Sequence, residues 1–175
     1  MKHIFKTVLA TCVLVVALSP VLHAGAPKKQ EDTSSAELKR IKSLAGGRWT
    51  STTSMFGKKN QKVYTEFQVT SAGSAVLERI FPGTPQEMLS VYYDNNGKLM
   101  MTHYCMLRNR PTLKLVKSDG DTLVLDIVKV EDLKSKKDPH MGGLTFYFKD
   151  KNHFCVREIA VLRLLTNLKW QLSGD

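Results

Sequence analysis

Lys62-Val63-Tyr64-Thr65-Glu66-Phe67-Gln68-Val69-Thr70 is the stretch on which the fold turns. Val63, Thr65, Phe67 and Val69 fall on one side of an extended chain, and Tyr64, Glu66 and Gln68 on the other. That period of two belongs to a strand with one face in a core. The pattern repeats on both sides of it. Downstream, the segments 88–93 and 98–106 flank Asp94-Asn95-Asn96-Gly97, a strong hairpin signal because Asn and Gly accept the left-handed backbone that tight turns need. Segments 112–117 and 122–131 flank Ser118-Asp119-Gly120-Asp121, and segments 144–149 and 153–161 flank Asp150-Lys151-Asn152. Further strands are expected at 49–55, 75–81 and 168–172. The count is about nine or ten, one every 8–12 residues, with no long helical pattern between them. That pattern favours an antiparallel sheet over a parallel one, which needs long crossovers.

One short helix precedes the strands. Leu38, Ile41 and Ala45 recur at helical spacing, Ser34 with Glu37 reads as a capping box, and Gly46-Gly47 stops the helix. The expected class is all-β: an antiparallel up-and-down barrel behind a short N-terminal helix. Closure suits such a chain because it leaves no exposed strand edge.

Residues 1–24 read as a secretory signal. Lys2 and Lys6 form a basic start, residues 7–22 are apolar, and Leu22-His23-Ala24-Gly25-Ala26 offers small residues for cleavage. The apolar run is short for a membrane span, and Pro20 interrupts it. Residues 25–33 are a polar tether, and 34–175 form a single domain. The expected location is periplasmic or secreted, with no membrane span in the mature chain. The formal net charge is +10, but the lysines are scattered, as in Lys58-Lys59, Lys114, Lys117 and Lys136-Lys137. Together with export, this argues against a nucleic-acid partner. Cys105 and Cys155 remain after cleavage; they fall on non-consecutive strands and are expected as two free thiols, although the compartment is oxidising.

Gly47-Arg48-Trp49, a Gly-x-Trp opening the first strand behind a short helix, resembles the start of calycin barrels such as lipocalins. The middle of the chain is more specific. Gly73-Ser74-Ala75-Val76-Leu77-Glu78, then Phe81-Pro82-Gly83-Thr84-Pro85-Gln86-Glu87-Met88, then Thr102-His103-Tyr104-Cys105 resemble a family of uncharacterised, often exported bacterial proteins with a lipocalin-like barrel. The likeness spans roughly residues 44–150. It departs at Asn109-Arg110-Pro111, where that family usually has Asn-Gln-Pro. The resemblance implies that Trp49 plugs one barrel end and that Gly47 lets the chain approach it; it implies no activity.

A barrel of this strand number can hold one small ligand, oriented by polar side chains on its inner wall. His103, Glu78, Glu66, Tyr104, Arg79 and Arg157 are the candidates. His103 shares a face with Leu99, Met101 and Cys105, so that face is expected inside. Three functions follow. The first is an envelope protein that holds a small apolar or amphipathic molecule. The second is a hydrolase- or isomerase-type enzyme using His103 with Glu78 or Glu66; Glu66, Glu78 and Glu158 offer carboxylates for acid–base work, although nothing in the sequence pairs them. The third is a filled barrel whose basic exterior meets an acidic partner. Haem bound through one histidine is an alternative to the expectation of no cofactor. No spacing such as His-Glu-x-x-His or Cys-x-x-Cys marks a metal site. The loop 81–88, stiffened by Pro82 and Pro85, reads equally as a mouth of the barrel or as a tight corner.

Overall fold

The computed structural model describes residues 31–53, 60–161 and 169–174, and side chains as far as residue 159. The expected signal, most of the expected tether, the segment 54–59 and the segment 162–168 lie outside the described residues.

Nine antiparallel strands follow one short helix, α1 (Ala36–Lys42). They are β1 (Arg48–Thr53), β2 (Gln61–Thr70), β3 (Ala75–Ile80), β4 (Met88–Asn95), β5 (Lys98–Tyr104), β6 (Arg110–Asp119), β7 (Thr122–Glu131), β8 (His140–Asp150) and β9 (His153–Val161). Each pairs with its neighbours in sequence, so the sheet is an all-antiparallel meander, and it curls. A last strand, β10 (Lys169–Gly174), runs antiparallel to β9 from Lys169↔Arg157 to Ser173↔His153 and meets β1 at Trp49↔Gly174 and Thr50↔Ser173. No helix among the described residues is long and apolar enough to cross a membrane.

The turn chemistry sets the register. Asn96 and Gly97 both have positive φ, 51° and 73°, as the two central residues of a tight hairpin must. Counting outward from that turn puts Ser90 opposite His103 and Tyr92 opposite Met101. The alternation of β2 holds at Val63, Thr65 and Phe67, which are buried, and ends at Val69, which is exposed.

The helix is capped by Ser35, not Ser34: Ser35 Oγ accepts the Leu38 amide at 3.0 Å. The expected capping box does not form because Ser35 is anchored elsewhere. Its amide and hydroxyl both donate to the Asp94 carboxylate, each at 2.7 Å, tying the helix start to the β4–β5 hairpin. Arg40 donates to the Gly120 carbonyl at 2.6 Å and lies 4.3 Å above the Phe148 ring. So fixed, α1 buries Leu38 and Ile41 in the core. Gly46, at φ 98°, makes the left-handed exit from the helix. Gly47 has ordinary backbone angles, and an added methyl group there would touch nothing within 4 Å, so close approach does not require glycine at that position.

Trp49 is buried as expected. Its indole N–H donates to the Leu44 carbonyl at 2.8 Å, and its ring stands edge-on to Phe154 at 4.7 Å. Phe67, Tyr92, Phe146 and Phe154 continue the cluster. Aromatic pairs at such centroid distances each stabilise by about 0.5–1.5 kcal/mol beyond the area they bury. The helix end of the interior is thus filled.

Candidate functional site

The opposite end of the interior carries the polar groups. Glu78 on β3, Ser90 on β4 and His103 on β5 are register partners across three neighbouring strands, in one row on the inner face. Ser90 is 1% exposed, His103 2% and Glu78 7%. Glu158, on β9, also turns inward and is partly buried. Between them lies a cavity of about 60 Å³. Val63, Ile80, Phe81, Met88, Met141 and Val156 give it a mainly apolar wall, and Ser51 and Thr65 contribute hydroxyls.

The row is hydrogen-bonded end to end. Tyr92 donates its hydroxyl to Glu78 at 2.7 Å, Thr65 lies 3.3 Å from the other Glu78 oxygen, and the Ser90 hydroxyl, on the neighbouring strand, helps hold the same carboxyl in its charged form. His103 Nδ1 lies 3.0 Å from Ser90 Oγ. Its Nε2 has no hydrogen-bond partner among the described residues. Burial shapes the protonation of all three ionisable groups. It raises the Glu78 carboxyl above the usual range, against the pull of its three hydroxyl donors. It lowers His103 to about 4, so the imidazole is neutral at pH 7. Burial, then repulsion by Glu78, raises Glu158 to about 7.

Of the six side chains expected to line the interior, the structure brings two together, His103 and Glu78. The other four point outward, because each neighbours an inward residue along its strand and alternation sends it to the other face. Glu66, between Thr65 and Phe67, accepts from Arg48 at 2.7 Å. Arg79, next to Glu78, pairs with Glu87 at 2.9 Å. Tyr104, next to His103, is 47% exposed. Arg157, between Val156 and Glu158, sits 5.9 Å over the Tyr147 ring on the outer face.

The loop after β3 is a tight corner that also shapes the cavity. Glu87 closes it by accepting the Gly83 amide at 2.7 Å while holding Arg79. Phe81, at φ 56°, turns its ring inward, and Phe81 and Met88 both line the cavity. Cys105 and Cys155 are free. Burial raises the Cys105 thiol, with the nearby Glu158 adding to it, so Cys105 is a poor nucleophile.

Ser90, Tyr92 and Glu158 complete the site; Ser90 and Tyr92 were not among the expected contacts, and Glu158 was a candidate carboxylate with no partner read for it. The register of the Asn96-Gly97 turn was the signal for Ser90. Nothing local paired Glu158 with Glu78, since β9 is remote in sequence from β3–β5. No family model matches the chain, and no curated protein sequence matches it either.

Proposed function

We propose that the chain is an envelope protein, periplasmic or secreted, that closes into a lipocalin-like barrel and holds a small amphipathic molecule by its polar head. The observation that carries this reading is the placement of Glu78, Ser90, His103 and Glu158 around one cavity in an otherwise apolar interior. Burying ionisable groups without opposite charges costs stability, and such groups collect at functional sites. Closure is supported by the pairing of β10 with both β9 and β1. The volume defines what fits. A cavity of roughly 150 Å³ admits benzene, and this one has about 60 Å³. It takes a head group, and the apolar remainder of the ligand extends towards the loops at that end.

A serine-type hydrolase is the less favoured reading. Ser90 and His103 are in contact, but a hydrolytic triad needs the carboxylate on the imidazole, and Glu78 bonds Ser90 instead. A histidine lowered to about 4 is also a weak base.

Methionine-methyl NMR during titration with an extract of envelope lipids tests the proposal. Met88 and Met141 line the cavity, and Met106 is exposed. The Met88 and Met141 signals are expected to shift. Movement of Met106 alone would place any binding on the outer surface and defeat the proposal.

A further inference from the structure

We propose that the head group taken by this cavity is a protonated primary amine, held between Glu158 and the row formed by Glu78, Ser90 and His103. This rests on the binding reading above and adds the chemical class of the ligand.

The charges are sorted by face. The chain holds 26 lysines and arginines, yet none lines the cavity among the described residues. On the outer face, Glu66 and Glu87 are matched by Arg48 and Arg79. Inside, neither Glu78 nor Glu158 pairs with a cation among the described residues, and Glu78 repels charge on Glu158. A cation between them removes the repulsion and the cost of burial together.

The hydrogen-bonding capacity left open points the same way. Glu78 already receives the Tyr92 and Ser90 hydroxyls and lies near Thr65. Ser90 has a single proton. When that proton turns to Glu78, His103 meets Ser90 Oγ as the Nδ1–H tautomer, the two atoms being 3.0 Å apart. Nε2 is then a bare acceptor on a side chain that lines the cavity and is only 2% exposed. Glu158 has no hydrogen bond or ion pair among the described residues. The open positions are therefore acceptors, on His103 and Glu158. A primary ammonium supplies three donors and a positive charge. A hydroxyl supplies one donor and leaves the carboxylates uncompensated, and a carboxylate or phosphate head adds to the repulsion. A bare metal ion fits less well, because no group of three His, Cys, Asp or Glu side chains among the described residues is close enough to hold one. The volume of about 60 Å³ suits an aminomethyl-sized head with its chain leading out.

Three probes of one length separate the possibilities: n-hexylamine, n-hexanol and hexanoate, titrated into the protein at pH 7.5 by calorimetry. Hexylamine is expected to bind at least about tenfold more tightly than hexanol, since a charge-assisted hydrogen bond is roughly twice as strong as a neutral one. Hexanoate is expected not to bind. Glu158→Gln should bring hexylamine down to the hexanol level. Glu66→Gln, on the outer face, should leave its affinity unchanged. Ser51→Leu, which puts an isobutyl group into the cavity, should abolish binding of both hexylamine and hexanol. Hexanol or hexanoate binding as tightly as hexylamine would overturn the amine assignment and leave the cavity a ligand site. Hexylamine binding that survives Ser51→Leu would overturn it as well, by placing the amine elsewhere. If none of the probes binds wild type, both the assignment and the binding reading fail.

Discussion

Replacing Glu158 with Gln should change how stability depends on pH in a way that separates two buried groups. Glu158 is raised from 4.5 to about 7 in the folded chain. Between those values the folded state holds a proton that the unfolded state has released, so stability falls as pH rises. The full effect is about 3 kcal/mol, reached above pH 7, because each tenfold change in proton affinity is worth about 1.4 kcal/mol. His103 runs the other way. It is lowered from 6.5 to about 4, so between those values the unfolded state holds the extra proton and stability rises with pH. In the wild type the two slopes oppose one another across pH 5–6.5. Glu158→Gln removes one of them. Glu78, also raised, stays in both proteins, so the difference between them isolates Glu158: the advantage of the variant over wild type should grow by about 1 kcal/mol per pH unit over that window, to roughly 3 kcal/mol at pH 8.5. His103→Asn should show the mirror image, a stability that falls from pH 5 to 7. Urea denaturation at half-unit steps of pH, followed by Trp fluorescence, measures all three proteins. The outer carboxylates Asp32, Glu87, Glu131 and Asp150 are lowered, so they titrate below this window and leave the slopes clear. Parallel curves for wild type and Glu158→Gln would show that Glu158 is solvated, and the reasoning would fail.

Tyr92→Phe removes the hydroxyl that donates to Glu78 at 2.7 Å, leaving a buried acceptor short of a partner. It should cost about 1–3 kcal/mol of stability in urea denaturation, and a neutral result would mean that water replaces the hydroxyl. Asp94→Ala removes both bonds that anchor Ser35 at the helix start. Its expected cost is about 1–3 kcal/mol, with amide exchange fastest in α1; uniform loss of protection would show that the helix is not a separable unit. Alkylation of the unfolded, unreduced protein followed by peptide mapping should label both Cys105 and Cys155, and protection of the pair would reveal a disulfide.

The strands were legible because alternation and turn chemistry agree. The bounds 122–131 and 153–161 stand as read, and the Asn96-Gly97 turn fixes the β4–β5 register. The interior placement of His103 followed from the same periodicity, and that of Trp49 from the resemblance of Gly47-Arg48-Trp49 to the start of calycin barrels. The errors came from treating polarity as a sign of the interior. Glu78 and Arg79 are adjacent, as are His103 and Tyr104, so only one of each pair can face inward. At the helix, Ser34 and Ser35 offer the same chemistry, and the choice was made by Asp94, which is remote in sequence. The role of Glu158 rests on packing between β9 and the β3–β5 wall, a relation that no local pattern encodes. Cavity size was equally hidden, since it depends on how Phe81 and Met88 seat against Val63.

Native mass spectrometry of the protein purified gently from the cells that make it tests most directly whether the cavity holds a ligand. An occupied cavity predicts an added small mass on wild type that is lost from Ser51→Leu, whose cavity is filled. Wild type that is folded and carries only the mass of the polypeptide would contradict it.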